Sequence, residues 1–111
     1  FLVEEGHANV EAKDNNGYTP LIGASAWGHL TTVKFLVKEC HANVEAKSNK
    51  GNTPLMFASA NGHLTTVKFL VEEGHANVEA KDIAGQTALG MAKEEDKSDV
   101  VAYLRSKGAT E

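Results

Sequence analysis

One cysteine, Cys40, stands alone among 111 residues, so no disulfide can close within the chain. A lone thiol fits a reducing compartment, and the expected location is intracellular, in the cytoplasm. No apolar run approaches the roughly 20 residues that a helix needs to cross a bilayer. No charged-then-apolar leader with a small-residue cleavage site opens the chain. Membrane association is therefore not expected. Basic residues do not dominate either: the formal net charge is −4, whereas a nucleic-acid surface would need a basic stripe. The chain has no phosphate loop, no pair of catalytic carboxylates and no Gly-x-Ser-x-Gly elbow, so nothing points to an enzyme or to a cofactor. Linkers and low-complexity segments are missing as well. The length is that of one domain, and 41% hydrophobic with 23% charged residues is a globular composition.

What the chain does have is repetition. "GHLTTVKFLVKECHANVEAK", Gly28 to Lys47, returns as "GHLTTVKFLVEEGHANVEAK", Gly62 to Lys81. Its tail also opens the chain as "FLVEEGHANVEAK", Phe1 to Lys13. The offset is 34 residues, which puts His7, His41 and His75 in one register and His29 and His63 in another. A fixed period of this length is the mark of a stacked repeat protein. The expected division of the single domain is a partial unit over 1–13, full units over 14–47 and 48–81, and a divergent last unit over 82–111.

The punctuation within a unit predicts two helices. "DNNG" at Asp14–Gly17 and "SNKG" at Ser48–Gly51 are turn formers, with glycine supplying a positive φ. Thr19 and Thr53 are candidate N-caps, and the only two prolines, Pro20 and Pro54, sit at the first helical position, where no N–H is needed. A short Ala- and Ser-rich helix runs to about Trp27 and is broken by Gly28, or by Gly62 one unit on. A second helix follows over about Leu30 to Glu39, with Leu30, Val33, Leu36 and Val37 at helical spacing. Phe35 widens that stripe, as expected of a helix covered on both sides. Gly74 is expected to end its helix in the left-handed conformation, and Cys40 to bear a Cβ cost at the same place. "HANVEAK" is expected to be extended. The predicted pairs cover about 20–27 and 30–39, 54–61 and 64–73, and 88–95 and 98–106.

Turn, "G-x-T-P-L", Ala-rich helix, "G-H", Val/Leu helix and "G-A-x-V-x-A" together resemble the ankyrin repeat over essentially the whole chain. "GYTPLIGASAWGHL" and "GNTPLMFASANGHL" carry the resemblance, and "GQTALGMA" at Gly85–Ala92 is a looser third match. The resemblance implies an all-α solenoid of stacked helix pairs in two layers, with hairpin loops projecting from it. The chain departs from the family in three ways. Ile22, Met56 and Gly90 stand where the family has His after "T-P-L". The period exceeds the usual 33 by one residue, near His41 and His75. Asp96–Lys97 replaces "G-H" inside "KEEDKSD", a polar run that resembles a cap facing water rather than another repeat.

Five histidines invite a metal reading. Members of one column belong to successive units, roughly 8–10 Å apart, while zinc needs its nitrogens about 2 Å from one ion. One column therefore cannot share an ion, and no metal is expected. His29 and His63 are expected to hydrogen-bond the loop between helices, and His7, His41 and His75 to be solvated at the hairpin base. Cys40 has His41 beside it but no orienting acid or oxyanion site, so a packed or half-exposed thiol is expected.

The two full units differ at Asp14/Ser48, Asn16/Lys50, Tyr18/Asn52, Ile22/Met56, Gly23/Phe57, Trp27/Asn61, Lys38/Glu72 and Cys40/Gly74. The differences gather on the hairpin tip and the first helix. In the family these line a concave surface that binds partners. The resemblance therefore implies a protein-binding face made of Asn15, Asn16, Tyr18, Ala26 and Trp27, then Asn49, Lys50, Asn52, Ala60 and Asn61, then Ile83, Ala84, Gln86, Glu94 and Glu95. Trp27, with Tyr18 expected near it, would be the apolar anchor, and the Asn, Lys and Gln positions would add polar specificity. Gly23/Phe57 reads as a packing difference. The alternative is a structural spacer within a longer array. The N-terminal partial unit has no first helix to pack on, which leaves Phe1, Leu2 and Val3 open to self-association.

Overall fold

The computed structural model describes residues 9–110. Within them six helices form three pairs: α1 (Pro20–Ala26) with α2 (Leu30–Lys34), α3 (Pro54–Ala60) with α4 (Leu64–Glu72), and α5 (Ala88–Glu94) with α6 (Ser98–Ser106). Helix α2 continues without a break into a π-helical turn over Phe35–Glu39. Among the described residues there is no strand. Phe1 to Val3, His7 and most of the partial unit lie outside the described residues.

Each first helix starts as its sequence requires. Thr19, Thr53 and Thr87 Oγ1 accept the N–H of Ile22, Met56 and Gly90 at 3.2, 3.3 and 3.2 Å, which satisfies one of the otherwise orphaned donors. Pro20 and Pro54 occupy the first turn. The first helices stack α1 on α3 on α5, and the second helices stack α2 on α4 on α6, giving two layers. Between them run columns of side chains at the repeat spacing. Leu21, Leu55 and Leu89 come from the first layer, and Leu36, Leu70 and Leu104 from the second; all are fully buried. Burying each stabilises the fold by about 1.5–3 kcal/mol relative to leaving it exposed. Phe69 belongs to this core, with Lys38 over its ring. Phe35, one unit earlier, is 46% exposed, and the stretch that corresponds to Lys38 in the preceding unit lies outside the described residues.

The helix ends correct a second expectation. Neither Gly74 nor Cys40 is left-handed. The left-handed residues are His41 and His75, with φ of 55° and 56°. The extra residue of the 34-residue period widens the last turn, which moves the left-handed position one residue on. Cys40 N–H donates to the Phe35 carbonyl and Gly74 N–H to the Phe69 carbonyl, five residues back, and Ala42 and Ala76 N–H then reach six back to Leu36 and Leu70. In the last unit Gly108 takes the left-handed position and Ala109 N–H reaches only five back, to Leu104. Cys40 thus bears no left-handed cost, and its partly buried thiol packs against the core. A Cβ at position 74 would lie 2.7 Å from the Leu70 carbonyl oxygen. Cys40 has that Cβ, and in its unit the widening begins earlier, as the π turn.

A staple not foreseen from the sequence ties successive units at the hairpin base. Glu11 and Glu45 Oε2 accept the N–H of Asn43 and Asn77 at 2.8 Å, and Glu79 Oε2 accepts that of Thr110 at 3.0 Å. The Glu of each "NVEA" was a visible periodic signal for it. Polar atoms that recur at the repeat period beside turn formers are candidates for ties between units.

Candidate functional site

Three loops, 14–18, 48–52 and 82–86, carry the variable tips. Each closes on itself in the same way. Asp14 N–H donates to the Tyr18 carbonyl and Gly17 N–H to the Asp14 carbonyl, and the later loops repeat both bonds. The residue at the head of the loop braces it from inside. Asp14 Oδ1 accepts from Asn16 and Tyr18 N–H, and Asp82 Oδ1 from Ala84 and Gln86 N–H, all at 2.9 Å. Ser48 Oγ does the same for Lys50 and Asn52 at 3.3 and 3.2 Å. Successive tips are then tied together, Asn49 N–H to the Asn16 carbonyl and Ile83 N–H to the Lys50 carbonyl, each at 3.0 Å.

The predicted residues fall into two rows, the loop tips and the ends of α1, α3 and α5. Asn16, Tyr18, Asn49, Lys50 and Asn52 come together with Ser48 around one cleft of about 250 Å³. In the second row Trp27 closes α1 and is 76% exposed, and Ala26 and Ala60 are partly buried beneath the row. Tyr18 is expected near Trp27, and the ring contact it makes is with another residue. Its ring stands edge-on to Phe57 of the next unit, with centroids 5.2 Å apart and planes at 74°. Phe57 takes the place that Gly23 holds in α1, so the Gly23/Phe57 difference is indeed one of packing, and it draws Tyr18 towards α3.

Several amides expected to face a partner are engaged inside the molecule. Asn49 Nδ2 donates to the Asn15 carbonyl at 2.9 Å, and Asn61 Nδ2 to the Ala26 carbonyl at 2.8 Å. Asn52 Nδ2 donates to Asp82 Oδ2, and Gln86 Nε2 to Glu94 Oε1, each at 3.0 Å. These four hold tips and helix ends in register. Among the described residues, no hydrogen bond or ion pair engages the side chains of Asn15, Asn16, Lys50, Trp27 or Glu95. Ile83, 78% exposed, and Ala84 extend the surface along the third tip.

The histidines divide. His63 Nε2 lies 3.1 Å from the Ala26 carbonyl, so it bonds the helix end of the preceding pair as expected, whereas His29 is exposed. His41 and His75 are exposed at the hairpin base. Among the described residues, no three His, Cys, Asp or Glu side chains converge to hold a metal. No helix among them is long and apolar enough to cross a membrane.

A family model described as ankyrin repeats (3 copies) matches residues 38–110, and a second, described as ankyrin repeat, matches residues 16–49. None of the curated proteins compared with the chain matches it. The two models cover the paired helices and the stacked tips nearly end to end, and the chain belongs to the ankyrin repeat family.

Proposed function

We propose that the chain recognises a partner protein through its loop tips and the ends of α1, α3 and α5, with Trp27 as the principal anchor. Ankyrin repeats are in general protein–protein interaction modules rather than catalysts. The observation that carries the reading is Trp27 itself, a tryptophan 76% exposed in the row where the units differ. Tryptophan offers a large, rigid apolar surface and is enriched among the residues that dominate binding energy. The tips beneath it are held by hydrogen bonds before any partner arrives, so little conformational entropy remains to be lost on association. Asn15, Asn16 and Lys50 supply polar selectivity beside it.

The unit from residue 82 onward serves in this reading as a cap. Lys93, Asp96, Ser98 and Arg105 occupy the positions that Ser59, Gly62, Leu64 and Val71 hold one unit earlier. A polar outer face of this kind keeps a stack soluble. The unpaired Cys40 supports an intracellular setting. The engagement of Asn49, Asn52, Asn61 and Gln86 within the molecule favours a second reading, a spacer whose face binds nothing.

Pull-down and calorimetry with the intact chain, Trp27→Ala and Tyr18→Ala separate the two. At an exposed position Trp27→Ala should change stability by no more than about 0.5 kcal/mol. It should weaken a partner by about 2 kcal/mol or more. Binding indifferent to the change refutes the anchor, and a function that survives both substitutions intact favours the spacer.

A further inference from the structure

Residues 14, 48 and 82 head the three loops, and the middle one is Ser where the other two are Asp. Closing a loop takes one acceptor oxygen. Asp82 has two, and while Oδ1 braces its own loop, Oδ2 accepts from Asn52 Nδ2 of the loop before, at 3.0 Å. One unit earlier Tyr18 stands in Asn52's place and Ser48 in Asp82's. Ser48 Oγ is occupied by its own loop: it accepts from Lys50 and Asn52 N–H and donates to Asn52 Oδ1 at 3.3 Å. No second oxygen is left to reach back towards Tyr18.

The result is the cleft of about 250 Å³ between the first two tips. Its lining includes the Asn16 amide, the Tyr18 side chain and the ammonium-bearing Lys50, and it includes no carboxylate. Lys50 replaces the uncharged Asn16 and Ala84 of the other tips, and no acid among the described residues pairs with it. The volume falls below the roughly 300–1,000 Å³ usual for small-molecule sites. It suits one side chain rather than a metabolite.

We propose that this cleft receives a carboxylate, presented by an Asp or Glu side chain of the partner, in the role that Asp82 Oδ2 plays one unit on. The inference rests on the binding face proposed above and specifies its chemistry. Lys50 supplies the charge, Asn16 and Tyr18 supply hydrogen-bond donors, and Trp27 takes an apolar residue of the same partner segment. A free small carboxylate has the same chemistry, so the test includes it.

The test is selection of random peptides on the immobilised intact chain, followed by affinity measurements on the enriched sequences. Wild type, Lys50→Met, Lys50→Glu and Trp27→Ala are compared, each checked first for unchanged helical circular dichroism. The expected result is an enriched Asp or Glu at a fixed distance from an apolar residue. Lys50→Met should weaken these peptides about tenfold or more, Lys50→Glu should weaken them further, and replacing the acid by its amide should match the loss. Peptides that depend on Trp27 but carry no acid, or that ignore Lys50, overturn the carboxylate site and leave the face standing. Peptides indifferent to both substitutions, or no enrichment at all, overturn both. Free glutarate that binds as tightly as the peptides overturns the assignment to a partner's side chain.

Discussion

Gly28 is held in place by two independent demands, and replacing it with alanine should expose both. Its φ is +70°, where a residue with a Cβ is strained, and a Cβ built there would lie 2.6 Å from His63 Nδ1. The imidazole cannot retreat freely, because His63 Nε2 lies 3.1 Å from the Ala26 carbonyl. The left-handed conformation costs about 1–2 kcal/mol for a non-glycine residue. Displacing the ring forfeits a hydrogen bond of about 0.5–1.5 kcal/mol. Gly28→Ala should therefore destabilise by about 2–4 kcal/mol, the two costs together with some lost packing. Gly85→Ala is the control. Its φ is +80°, yet nothing lies within 4 Å of its added Cβ, so only the conformational cost applies. Asp96 already shows that cost being tolerated: it stands at Gly62's place in the last unit with φ 58° and an exposed side chain. Urea unfolding followed by circular dichroism gives each difference. In a His63→Ala background the steric part of the Gly28→Ala cost should vanish, leaving a coupling of about 1 kcal/mol or more in the double-mutant cycle. Equal losses for Gly28→Ala and Gly85→Ala, with no coupling to His63, would refute the reasoning.

Other consequences follow from single atoms. Thr66 Oγ1 is buried without a hydrogen-bond partner among the described residues, and Val100 fills the same place in the last unit; Thr66→Val should stabilise by about 1 kcal/mol, read as a higher urea midpoint at unchanged slope. Gly23 lies inside α1 with nothing within 4 Å of an added Cβ, so Gly23→Ala should raise stability by about 0.8–1 kcal/mol in the same assay. Burial, and then the hydrogen bond to Glu72 and its charge, push the Tyr103 phenol well above its usual range. A raised folded-state value means that this stability is present below the unfolded value near 10 and is lost as pH rises towards the folded one, so unfolding midpoints should fall from about pH 9 upward and Tyr103→Phe should flatten that slope.

The parts of the fold legible in the sequence are those where one residue type does one local job. Thr-Pro starts a helix whatever surrounds it, and Gly in a four-residue turn supplies its positive φ. The helix spans from Pro20 to Ser106 could be read from such signals and from the 34-residue register. The helix ends were not legible, because two different residues can close a helix. Whether Gly74 or His75 takes the left-handed position depends on how many residues the final turn holds, which is settled by where Leu70 and Ala76 pack. The candidate site was legible as a set of positions but not as a set of free groups. Asn49 and Lys50 look equally available in the sequence. Only the stacking of the loops shows that the Asn49 amide is held by the Asn15 carbonyl, while no hydrogen bond or ion pair among the described residues engages the Lys50 ammonium.

Ser48 shows why the variable positions can vary at all. The fold asks the head of each loop for one acceptor close to two backbone N–H groups, and Asp14, Ser48 and Asp82 all meet that demand. What differs is the atom left over. An aspartate brings a second oxygen that can fasten its loop to the one before, as Asp82 does with Asn52. A serine closes its own loop and reaches no further, so the side chains opposite, Tyr18 and Asn16, keep their donors and the cleft stays open. On the binding face proposed above, substitution at the head would change recognition without touching loop closure. Asn52 illustrates the opposite case: its amide is bound to Asp82, so losing it would loosen the second and third tips. Positions of the first kind can diverge between units at little cost in stability. Residues that tie one unit to the next, such as Glu45 and Glu79, cannot, and these stay the same from unit to unit.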